Sequence, residues 1–240
     1  MTASATPPTP PTPPTVLVTG AESPLARAVI AALSGARHTG DDLTDPTAVV
    51  PLVQDAGAIV HLAPLSLPRT MPEGAPAEVL DRAARGTHVL LKAAHDAGVR
   101  HVVLGSTLAL MDAYPEDLEV TEQWRPRPRP RPTEMAPYLA ELTAREFTRD
   151  VQLDDPPHII CLRFAEDIDP ALGAGAVQRA LAALQQGAPP ERRRQRGHHW
   201  QLYHIAPLDP GARYTSALAR QSLGYGQEAE SAPTAPGGTR

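Results

Sequence analysis

Residues 16–27 read VLVTGAESPLAR, and this stretch decides how the rest of the chain is read. Val16, Leu17, Val18 and Thr19 are a short apolar, β-prone run; Gly20 to Pro24 breaks it, and Leu25 to Leu33 resumes with helical, amphipathic spacing. The order is strand, turn, helix. Ser23 before Pro24 is a favourable N-cap and first-turn pair, which predicts a helix N-terminus with orphan N–H groups. Such ends attract anions, and ligands of open α/β sheets bind beyond the carboxyl ends of the strands.

Working outward, the alternation continues. The pattern predicts a helix over Thr47 to Gln54, a buried strand over Ala58 to Ala63, and a helix over Ala77 to Ala97 stopped by Gly98. A strand follows at His101 to Leu104, a helix at Tyr138 to Arg149, and a strand at His158 to Phe164. Ala171 to Gln186 reads as a helix, Trp200 to Ile205 as a last strand and Tyr214 to Leu223 as a last helix. Strands separated by helices predict the α/β class, a doubly wound parallel sheet covered on both faces.

The 28 prolines cluster, and the clusters mark what need not fold. Residues 1–15 read as a disordered Pro/Thr-rich tail, 16–227 as one domain, and 228–240 as a second disordered tail. Arg125 to Pro132 alternates arginine with proline and reads as an exposed, extended spacer. With 42% hydrophobic and 20% charged residues among 240, collagen, coiled coil and disorder of the whole chain are excluded. A net charge of −5 is too modest for wrapping nucleic acid or adsorbing to a membrane, so neither partner is expected. No apolar run approaches the ~18 residues of a membrane span, and the N-terminus has no basic and apolar leader pattern, so a cytoplasmic location is expected. A single cysteine, Cys161, makes no internal disulfide and agrees with a reducing compartment.

The turn resembles the TGxxGxxG of the short-chain dehydrogenase/reductase superfamily, and more closely of its extended and atypical members, the NAD-dependent epimerase/dehydratase family. The pattern falls on Thr19, Gly20, Ser23 and Ala26, so the chain resembles a divergent member. Ala26 replaces a glycine that permits helix–strand packing, and Ser23 one that lets the pyrophosphate approach the backbone. Asp42-Leu43-Thr44-Asp45-Pro46 resembles GDLxDP, Ile59 to Ala63 resembles VIHLAA, and Gly86 to Val99 resembles GTxxLLxAAxxAGV. Val102 to Thr107 resembles the VVxxSS strand end, and Leu223-Gly224-Tyr225 the LGY near the C-terminus. The resemblance implies a Rossmann-like fold with a small C-terminal substrate part. It implies NAD or NADP held by Gly20, Ser23, Pro24, Ala26, Asp42, Leu43, Leu62 and Ala63, and a small-molecule substrate. Only sixteen steps separate Ala26 from Asp42, about half the family's interval, so the second strand is expected to be shortened or deleted. The acid that reads the ribose is then missing or shifted onto Asp41, and NAD is not distinguished from NADP.

The same resemblance implies a catalytic tyrosine, a lysine four residues on, and a Ser/Thr that orients the substrate carbonyl. Tyr138 and Thr107 take the first and last roles. The residue four after Tyr138 is Leu142, and the one lysine of the chain, Lys92, lies on another predicted helix. No other tyrosine has a lysine at that spacing: Tyr114, Tyr203, Tyr214 and Tyr225 are followed there by Leu118, Pro207, Leu218 and Ala229. Ala83 replaces the family's helix asparagine, while Arg145, one turn beyond Leu142, is the nearest candidate for a compensating charge. A phenol with no ammonium beside it is a poor base at neutral pH. Two readings follow: a divergent oxidoreductase or epimerase acting on a small or nucleotide-linked substrate, and a catalytically inactive relative kept as a binding or regulatory module. The remaining candidates read as structural: His61 as a packed strand histidine, Cys161 as inert core, and His198-His199 without a third metal ligand. Arg192-Arg193-Arg194 with Arg196 reads as a solvated loop.

Overall fold

Four helices open on the same device, a short polar or charged residue followed by proline. The first is α1 (Pro24–Ala32), capped by Ser23, whose Oγ accepts from the Ala26 amide at 3.0 Å. In α2 (Pro46–Val53) Asp45 accepts from Thr47, and in α6 (Pro170–Gln186) Asp169 accepts from Ala171 and Leu172. Each proline occupies a position whose N–H has no intrahelical partner, and its fixed φ suits the helix. The fourth, α5 (Pro132–Phe147), follows Arg131, which gives no side-chain cap; instead the Glu134 carboxylate reaches back to accept from the Arg129 amide at 2.6 Å.

In a computed structural model, residues 15–40, 42–66, 75–150, 152–187, 199–209 and 212–227 are described. The expected tails at 1–15 and 228–240, apart from Thr15, lie outside the described residues, as do Asp41, His198 and the arginines at 192–194 and 196. Six parallel strands form one sheet in the order β2-β1-β3-β4-β5-β6. They are β1 (Thr15–Thr19), β2 (Arg37–Thr39), β3 (Ala56–His61), β4 (His101–Thr107), β5 (His158–Phe164) and β6 (Trp200–Ile205). The remaining helices are α3 (Ala75–Asp81), α4 (Thr87–Asp96) and α7 (Ala217–Leu223).

Successive strand residues serve opposite faces. Val18, Val60, Val103, Ile160 and Leu162 pack with Ala26, Val29, Val177 and Ala180 of α1 and α6. Leu17, Ile59, Val102, Leu104 and Cys161 pack on the other side with Val49, Leu90, Leu91, Ala140 and Ala144 of α2, α4 and α5. The α1–α6 contact is close at Gly173, where a Cβ would lie 2.6 Å from Leu25 Cδ1 and the leucine would have to shift. The sheet is therefore the doubly wound, Rossmann-like layer architecture expected from the pattern.

One expectation is resolved between its alternatives and two are corrected. The second strand is shortened rather than lost: Arg37–Thr39 pairs with Leu17 to Thr19 at the sheet edge. The long helix expected from Ala77 is interrupted by a π-helical turn at Arg82–Gly86, which apolar spacing does not reveal. α5 begins at Pro132, six residues before Tyr138, because the alternating prolines end on one that suits a first helical position. The Arg-Pro run is extended, but its backbone is docked. Arg127 N donates to the Leu110 carbonyl at 2.8 Å, Tyr114 OH donates to that of Arg125, and the Arg127 guanidinium stacks 4.2 Å from the Tyr114 ring centre.

Candidate functional site

The chain leaves β1 for β2 on one side and returns to β3 on the other, so the carboxyl ends of β1 and β3 form the switch point of the sheet. The turn after β1 sits there. Gly20 has φ +77°, its N–H donates to Thr39 O, and a Cβ on it would lie 2.5 Å from Ala63 N and Cα. Ser66 Oγ donates to the Gly20 carbonyl at 2.7 Å, and Leu62 N to Thr19 O at 3.1 Å. Leu62, Ala63 and Gly20 are thus brought together by main-chain contact, and the glycine is demanded first by its own neighbours.

Beyond Gly20 the helix end is partly spent. Pro24 carries no N–H and the Ala26 amide is taken by Ser23, so Leu25 supplies the one amide of the first three helical positions not accounted for. Ala26 is buried in the helix–strand contact, where the family pattern has its third glycine. Asp42 is exposed and accepts from Thr44 N and Oγ1, which with desolvation opposing holds its carboxyl below the usual range. Leu43 is buried beside Gly86. A left-handed glycine at the switch point and a capped helix end fit the diphosphate of a dinucleotide, which Gly20, Ser23 and Leu25 would hold. Bound there, a nicotinamide ring would supply hydride transfer.

His61 bridges this region as a structural group. Its Nδ1 lies 2.7 Å from Thr19 Oγ1 and its Nε2 2.9 Å from Thr87 Oγ1; burial lowers its pKa to about 3, so it is neutral at physiological pH.

Thr107 and Tyr138 have different surroundings. The Thr107 hydroxyl accepts from Ala109 N at 3.1 Å and caps a short 3₁₀ turn, Leu108–Met111. Tyr138 lies half-buried among Leu108, Met111 and Trp124, and it lines a cleft of about 330 Å³ with Leu142, Arg145, Trp200 and Leu202. Neither Thr107 nor any residue of the Gly20 turn lines that cleft. Lys92 is on the surface of α4, ion-paired to Asp96.

Reasoning from sequence missed the polar row behind this cleft. Arg163 on β5 is 3% exposed and Glu141 on α5 5%, and they form a two-pronged ion pair: Nε to Oε1 at 2.7 Å and Nη2 to Oε2 at 2.6 Å. Burial opposes the guanidinium charge, and the carboxylate more than restores it, so the Arg163 pKa is raised. Ser106 and His204 flank Arg163 in register on the adjacent strands. The Ser106 hydroxyl is buried without a hydrogen-bond partner, and the His204 ring is buried with the Val120 carbonyl as its polar neighbour. Burial, then the Arg163 charge, lowers the His204 pKa to about 3, with the Val120 carbonyl acting in the opposite direction. The available signal was an arginine inside an otherwise apolar strand, IICLRF, which is tolerated only when paired.

Among known proteins, the model of the NAD-dependent epimerase/dehydratase family matches residues 16–163. No curated protein matches the chain. Among solved structures, a UDP-N-acetylglucosamine 4-epimerase from Bacillus cereus is similar at 17% identity and TM-score 0.64, over 88% of this chain and 92% of that one. A glucuronic acid dehydrogenase from Chromohalobacter salexigens is similar at 17% identity and TM-score 0.65, over 88% and 83%. A mutant uronate dehydrogenase from Agrobacterium tumefaciens, complexed with NAD, is similar at 18% and 0.65 over the same shares.

Proposed function

Because this chain belongs to the NAD-dependent epimerase/dehydratase family, we propose that it binds a nicotinamide dinucleotide, NAD or NADP, at the β1–β3 switch point, and that it serves as a binding module without the family's proton-transfer chemistry. The observation that carries the second half is the neighbour of Tyr138. One helical turn on stands Leu142, in the same cleft as Leu202 and Trp200, so no ammonium lies where the resemblance requires one. The chain's one lysine is committed to Asp96 on α4. Thr107 uses one lone pair of its hydroxyl to accept from Ala109 N, a capping role, while its O–H stays available to donate.

One observation favours the second reading, a divergent oxidoreductase or epimerase for a small or nucleotide-linked sugar: Arg145 lines the cleft that holds Tyr138 and brings a positive charge to it. Titration with NADH and with NADPH, followed by cofactor fluorescence, tests binding. Incubating the protein and NAD with uronic acids and with UDP-hexoses tests turnover. Saturable binding without turnover is the expected result. Turnover abolished by Tyr138→Phe establishes the second reading, and no binding of either dinucleotide refutes both.

A further inference from the structure

We propose that the cleft between α5 and the β5–β6 edge is a binding site for a small organic carboxylate with a flat apolar body. It stands apart from the dinucleotide turn, since Gly20, Ser23, Leu62, Ala63 and Thr107 take no part in it. At about 330 Å³ it lies at the small end of ligand pockets, roughly 300–1,000 Å³, too little for a dinucleotide.

Its charge selects an anion. Three arginines, 125, 145 and 163, line it against one glutamate, Glu141. Glu141 is fully engaged by Arg163, which leaves the charges of Arg125 and Arg145 facing a guest. The Arg125 side chain makes no hydrogen bond or ion pair with another described residue, and Arg145 has only the exposed Glu146 beside it, a weak surface pair. Guanidinium forks match the two oxygens of a carboxylate.

Its walls select the body. Trp200 and Leu202 of β6, with Leu142, Pro126 and the Tyr138 ring, supply its apolar lining. The Tyr138 hydroxyl has no hydrogen-bond partner among the described residues and can donate to the same oxyanion. Tyr138 is then a binding residue of the cleft, and Leu142 a wall of it.

The test is calorimetric titration of the full chain with three probes: benzoate, benzamide as its uncharged isostere, and inorganic phosphate as charge without a body. Saturable benzoate binding is expected, with benzamide and phosphate each at least about tenfold weaker. Arg125→Ala and Arg145→Ala, both outside the core, are expected to weaken benzoate about tenfold each, and Leu202→Trp to abolish binding by filling the slot. Absence of saturable benzoate binding, equal affinity for benzamide or phosphate, or unchanged affinity in both arginine variants overturns the proposal. NADH titration of the same preparations separates the two sites. Loss of NADH binding in the wild type removes the dinucleotide reading and leaves the carboxylate result standing, and Arg125→Ala is expected to leave NADH affinity unchanged.

Discussion

Replacing Glu141 with leucine strands the Arg163 guanidinium, 3% exposed, beneath α5 with one weak hydrogen bond, to Met111 Sδ at 3.7 Å from Nη1, and the more distant Glu122 carboxylate. Two charge-assisted hydrogen bonds are lost, each worth about 1.5–3 kcal/mol, and breaking one side of a buried ion pair typically costs about 3–5 kcal/mol. A domain has about 5–15 kcal/mol to lose, so Glu141→Leu should remove about a fifth or more of its stability. Arg163→Met, which strands the carboxylate instead, should cost a similar amount. The double variant removes both charges and supplies apolar volume, so it should return to within about 1–2 kcal/mol of wild type. The coupling energy is then about 3 kcal/mol or more. Urea unfolding followed by the fluorescence of Trp124 and Trp200 measures all four corners, with the slope of the transition expected to stay constant. A single-variant cost under about 1 kcal/mol, or a double variant equal to the sum of the singles, would refute the assignment of this pair as a buried, mutually dependent unit.

Three other outcomes are expected. Gly20→Ala puts a Cβ 2.5 Å from Ala63 backbone at φ +77°; left-handed strain of about 1–2 kcal/mol and overpacking of about 1–3 kcal/mol should lower the urea midpoint with or without dinucleotide, and an unchanged midpoint sinks the packing argument. His61 and His204 are neutral when folded, with pKa values near 3 against 6.5 unfolded, so their contribution is complete above pH 6.5 and drains away as pH falls toward 3. At about 1.4 kcal/mol per pH unit for each, stability should drop by about 4 kcal/mol between pH 7 and 5, halved in His204→Phe; a flat profile over that window contradicts it. Leu142→Lys should bring tyrosine-dependent turnover or tighter dinucleotide binding if Tyr138 occupies the family position, and measuring neither gain counts against that placement.

What could be read from the sequence was whatever depends on nearest neighbours along the chain. His158 to Phe164 and Trp200 to Ile205 match their strands to the residue, whereas β1, β3 and β4 begin or end one to three residues from the expected bounds. The turn at Gly20 was legible as strand, glycine and cap. Its glycine answers to Ala63, however, a contact across more than forty residues that local pattern does not contain. The start of α5 was hidden because arginine–proline alternation looks like spacer until Pro132, where the same residue type opens a helix. Glu141 and Arg163 each sit inside an otherwise ordinary helix and strand, and only folding shows that they meet. Tyr138 could be placed on a helix from sequence, but not beside β6, since helix phase against the sheet is set by the packing of Ala140 and Ala144.

The docked Arg-Pro strip carries a consequence for self-association. An extended segment on a protein surface ordinarily invites another chain to add a strand, because alternate amides point outward with nothing to bond. Here the prolines at 126, 128, 130 and 132 have no amide to offer. The amides of Arg127, Arg129 and Arg131 are already given to Leu110 O, Glu134 Oε2 and Arg129 O. The strip is extended in shape yet a poor template, and the like charge of its exposed arginines repels a second copy of itself.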